Sequence, residues 1–101
     1  MQEPLKVNIA FVADVPFFGT AQMAANMRLS VDAKLATLQK RIAKMGWSDA
    51  EVTLLRIDPD SNGYVHEICA CVRHDGTRTY VHVSNGFLGS LKVEFKPTEH
   101  H

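Results

Sequence analysis

The stretch YVHEICACVRHDGTRTYVHVS, residues 64–84, decides the fold. Its middle, Asp75-Gly76, is a two-residue hairpin signal, because a type I′ turn needs positive φ at both positions. A two-residue loop pairs His74 with Thr77, and the rest of the ladder follows at a period of two. Ile68 then faces Val83, Ala70 faces Val81 and Val72 faces Thr79. That side is apolar and is expected to meet a helix. The other side carries Glu67, Cys69, Cys71 and Arg73 against Ser84, His82, Tyr80 and Arg78. Cys69 falls beside His82, and Cys71 beside Tyr80, at cross-strand contact distance.

Outward from this hairpin the pattern stays legible. Residues 51–57, EVTLLRI, read as a strand. Residues 58–63, DPDSNG, are its exit. Residues 90–95, SLKVEF, form a last strand before Pro97, after a turn at NGFLG. At the other end of the chain, residues 5–13 alternate well enough for a strand. Between them, Val31, Leu35, Leu38, Ile42 and Met45 recur at helical spacing, with Lys34, Gln39, Lys40, Arg41 and Lys44 mostly off that stripe. Thr20 is a candidate N-cap and Gly46 a candidate C-cap. Ser30 either caps a second helix or lies inside a single long one. The expected fold class is α+β, in the order β-α-β-β-β-β. One long helix, continuous or broken, covers one face of a mostly antiparallel meander, which makes two layers. In element order alone this resembles the cystatin-like arrangement; the residues carry no motif of that family.

The chain has 101 residues, which points to one domain over residues 1–98, with the final EHH read as a tag remnant. Lysines and arginines balance aspartates and glutamates, giving a formal net charge of zero. Nucleic-acid binding by bulk charge is therefore disfavoured, and self-association meets little repulsion. The apolar runs fall far short of the ~20 residues of a membrane span. The start, MQEPLKVN, has no charged segment leading into an apolar core, so no signal peptide is expected. Two cysteines two positions apart make no disulfide framework, which suggests a reduced, cytoplasmic protein.

Two motifs invite a metal. DPDSNG places Asp58, Asp60, Asn62 and Gly63 as a calcium loop does, but the twelfth position is Cys69 and both flanks are strands. A hairpin loop explains those residues better, since Asn62 and Gly63 tolerate positive φ. HEICACVRH suggests zinc, but strand alternation turns His66 and His74 away from Cys69 and Cys71, and only a bulge would reunite them. No metal and no cofactor is expected.

Catalysis has one candidate. Imidazole can hold a thiolate ready, so Cys69 with His82 is a possible nucleophile and base. Glu67 looks too far along its strand to orient His82. The face Glu67, Cys69, Cys71, Tyr80 and His82 is the leading binding or interface surface, because one helix covers only one side of a sheet. Phe17 and Phe18 form a second candidate, an aromatic anchor for a partner. The expectation is a non-enzymatic binding or interaction module. It self-associates, with a dimer favoured, and presents a sheet face or cleft to a protein or small ligand. The alternative is a small enzyme using Cys69 and His82, or histidines in a cleft.

Overall fold

The computed structural model describes residues 8–11, 21–59 and 64–99. Strand β1 is Asn8–Phe11 and helix α1 is Ala21–Lys44. Strands β2 (Glu51–Pro59), β3 (Val65–His74), β4 (Thr77–Asn85) and β5 (Leu91–Lys96) follow. The sheet order is β1-β2-β3-β4-β5. β2 to β5 form an antiparallel meander, while β1 runs parallel to β2. The parallel pair follows from α1, which carries the chain back across the sheet between the two strands. This is a two-layer α+β fold, as the periodicities indicate.

α1 runs unbroken through Ser30. It ends in a Schellman arrangement. Trp47 N–H donates to the carbonyl of Ile42 and Gly46 N–H to that of Ala43. Gly46 has φ 75°, a left-handed value at which a β-carbon is costly. Val31, Leu35, Leu38 and Ile42 are buried against Val52, Leu54, Val65, Ile68, Ala70, Val72, Val81 and Val83. Met45 does not continue the stripe. It lies past the helix end and is exposed.

Lys34 also departs from the expected pattern. It sits within the buried face, 3% exposed, and its Nζ donates to Asn85 Oδ1 at 3.0 Å. The aliphatic stem lies along the apolar stripe and carries the ammonium to the end of β4. Burial lowers the pKa of this lysine.

The β3–β4 register is the one read from residues 64–84, from Glu67 opposite Ser84 to His74 opposite Thr77. Asp75 (φ 51°) and Gly76 (φ 74°) form the type I′ turn that sets it. β2 and β3 carry two irregularities, with Leu55 extra on β2 and His66 extra on β3. The second one matters for packing. Simple alternation would send Val65 to the outer face with Glu67, whereas the bulge returns it to the core, where it is fully buried.

Candidate functional site

The outer face of the sheet is assembled by the same hairpin. A two-residue turn closes on a hydrogen-bonded pair, His74 with Thr77. Every second pair beyond it, Arg73/Arg78, Cys71/Tyr80 and Cys69/His82, is then of the non-hydrogen-bonded kind, in which side chains approach most closely. Cys69 Sγ lies 3.9 Å from His82 Nε2. His82 Nδ1 lies 3.1 Å from Glu67 Oε1. Glu67 thus reaches His82, contrary to the sequence expectation. It sits opposite Ser84, and the diagonal from one strand to the next is within reach of a long side chain.

The result is a string, Glu67–His82–Cys69, in the order that orients an imidazole against a thiol. Its surroundings are unlike those of a working nucleophile. Cys69 is 0% and His82 1% exposed. Burial pushes the Cys69 thiol up, opposed by Arg56, with Glu99, Glu67 and Asp58 adding to the rise. A thiol in that state stays protonated near neutrality. Cys71 and Tyr80 are half-buried beside it. Both cysteines are free.

Of the histidines flanking the cysteines, His74 follows the alternation, while His66 sits where the bulge interrupts it. His66 is exposed at the bulge. His74 stacks on Trp47, with ring centroids 4.4 Å apart and planes at 10°. Among the described residues no three His, Cys, Asp or Glu side chains gather closely enough to hold a metal ion. Phe17, Phe18, Thr20 and residues 60–63 of the DPDSNG stretch lie outside the described residues. The described strands on either side, β2 and β3, pair antiparallel.

Three features were not readable beforehand. The first is a cluster at the hairpin end of the sheet. His74 Nδ1 hydrogen-bonds Asp49 Oδ1, and Asp49 Oδ2 accepts the Asp75 N–H at 2.9 Å. The Asp75 N–H, and then His74, hold the Asp49 carboxyl below its usual range. Asp49 and His74 are 25 residues apart, and no local pattern announces the contact. The second is the turn after β4, where Phe87 and Leu88 are 83% and 88% exposed and Leu88 adopts φ 54°. The turn is held by Gly86 N–H to the Ser90 carbonyl at 2.7 Å and by Ser90 Oγ to the Phe87 carbonyl at 2.7 Å. The third is the ion pairing along β5. Glu94 lies between Lys92 at 2.8 Å and Lys96 at 3.5 Å.

Compared with protein-family models, curated proteins and solved structures, the chain matches none. Among the described residues no helix is long and apolar enough to cross a membrane.

Proposed function

We propose that this chain is a non-enzymatic interaction module that self-associates through the outer edge of β5, beside which no further described strand lies. The observation that carries the reading is the make-up of that edge. β5 is the last strand of the sheet, with β4 as its neighbour on one side. Its outer face runs Lys92, Glu94, Lys96, and its helix side runs Leu91, Val93, Phe95, half-buried against the core. Lysines alone would protect an edge from another strand. The glutamate between them makes the edge self-complementary.

In an antiparallel pairing of two copies centred on Val93, Lys92 of each copy opposes Glu94 of the other. Leu91 opposes Phe95, and Val93 opposes Val93. Unlike charges and apolar pairs in direct cross-strand positions are favourable, and like charges are not. A pairing centred on Glu94 would set Glu94 against itself and Lys92 against Lys96. A pairing centred on Phe95 also joins unlike charges, Glu94 with Lys96, but leaves Leu91 and Lys92 without partners. The neutral chain adds no overall repulsion. The dimer would be one continuous sheet, leaving both outer faces and the hairpin ends available for a protein or small ligand. The free thiols suit a reducing compartment such as the cytoplasm.

Light scattering on a sizing column tests the edge. The parent should run as a dimer at tens of micromolar. Lys92→Glu should be monomeric, and Lys92→Glu with Glu94→Lys should dimerise again. A parent that is monomeric there, or a Lys92→Glu variant that stays dimeric, overturns the reading.

The Glu67–His82–Cys69 string supports a second reading, a small enzyme with Cys69 as nucleophile. It requires the buried thiol to become accessible and ionised. Alkylation of Cys69 at about pH 7, much faster than for a free thiol, would favour it. Labelling that needs denaturant would remove it.

A further inference from the structure

A shallow cavity of about 190 Å³ lies at the hairpin end of the sheet, lined by Asp49, Glu51, Arg73, His74, Asp75 and Gly76. Opposite charges border it without neutralising one another. Among the described residues Arg73, Glu51 and Asp75 make no ion pair, although Arg73 is the register partner of Glu51. His74 is more firmly held. Its Nδ1 is committed to Asp49, its ring is stacked on Trp47, and Asp49 is anchored in turn by the Asp75 N–H. A carboxylate on one ring nitrogen fixes the ring and its tautomer, which leaves the other nitrogen to meet a ligand. Among the described residues His74 Nε2 has no partner.

We infer that this cavity is a binding site for a small zwitterion of amino-acid size. Its carboxylate would lie on the Arg73 guanidinium, a planar fork that matches a carboxylate in two hydrogen bonds. Its ammonium would donate to the carboxylates of Glu51, the register partner of Arg73, and Asp75. The donor set is one-sided in a useful way. The lining includes one guanidinium and the carboxylates of Glu51 and Asp75, so a lone anion meets repulsion and a lone cation leaves Arg73 unsatisfied. The cavity is small and open to solvent on one side, which suits a small ligand. The lining offers almost no apolar surface, which disfavours a hydrophobic ligand. The inference rests on the reading of the domain as a binding module, but not on the β5 edge.

Trp47 is the chain's single tryptophan and is stacked on His74, so its indole N–H resonance reports on the cavity. Glycine at pH 8 should shift that resonance in a saturable manner below about 50 mM, a weak affinity suited to a five-atom ligand. Acetate and methylammonium alone should each bind at least about 10-fold more weakly, as should Arg73→Gln and Glu51→Gln toward glycine. Both substitutions are at exposed positions, so the fold should be kept. The inference fails if glycine gives no saturable shift by about 50 mM, if acetate alone matches glycine, or if Arg73→Gln binds as the parent does. Failure here leaves the edge test untouched, since that test reads mass and this one reads Trp47.

Discussion

The two faces of the β3–β4 hairpin each bury side chains, the helix side along its length and the outer side only at Cys69 and His82, and they do so by different means. On the helix side, Ile68, Ala70, Val72, Val81 and Val83 are covered by an apolar stripe supplied by α1. On the outer side, Cys69 and His82 are as deeply buried, in a row of polar and charged neighbours that includes Arg56, Glu67, Tyr80 and Glu94. The first face is closed by the hydrophobic effect, which is non-directional and tolerant of detail. The second depends on each buried polar atom finding a partner. None of the described buried side-chain polar atoms lacks one.

Four measurements test that contrast. The largest effect belongs to the apolar face. Leu38→Ala, at the centre of the α1 stripe, should lose about 2–5 kcal/mol in urea unfolding. A loss under about 1 kcal/mol would mean that the helix is loosely seated. Next comes the polar face. Glu67→Ala removes the carboxylate that meets His82 Nδ1 and should lose about 1–3 kcal/mol. No loss would show that the outer face is wetter than its burial implies and would erase the contrast.

The third effect is a pH slope. Burial raises the folded Cys69 thiol above its unfolded value, so the folded chain holds more protons between the two. The stability this group contributes is complete below about pH 8.5 and is lost as pH rises through the folded value. Lys34 acts in the opposite sense in alkali, because burial lowers its folded value and stability from it rises with pH. The difference in urea midpoint between the parent and Cys69→Ala, followed from pH 7 to 10, isolates the thiol. The parent's margin should shrink toward alkali, and a constant margin would rule out the buried neutral thiol.

The smallest effect concerns the exposed Asp49 at the hairpin end. Its folded carboxyl titrates below the unfolded one, so its contribution is present above about pH 4 and disappears as pH falls through the folded value. Asp49→Asn should therefore lower the thermal midpoint slightly at pH 7 and match the parent in strong acid. Equal midpoints at both pH values would mean that the contact with His74 and Asp75 adds nothing to stability.

Much of the fold was open to reading because it rests on local rules. Asp75-Gly76 demands a type I′ turn, and the turn dictates every partner from His74/Thr77 to Glu67/Ser84. The helix stripe and the Gly46 stop are local as well. The errors came where a side chain is longer than the pattern assumes. Lys34 reads as solvated on a helical wheel, yet its stem spans the buried face to Asn85. Glu67 reads as remote along the strand, yet it crosses a diagonal to His82. The bulge at His66, which returns Val65 to the core, has no glycine or proline to announce it.

By itself, the sequence determined the order of the elements, the hairpin register, and the Cys69/His82 and Cys71/Tyr80 pairs, because periodicity and turn chemistry act between near neighbours. Only the tertiary structure decided that β1 lies parallel to β2, that Glu67 completes a string to a buried thiol, and that Asp49 and Trp47 both meet His74. Those contacts join residues from different elements. Their geometry depends on how sheet and helix pack, which no short stretch of sequence encodes.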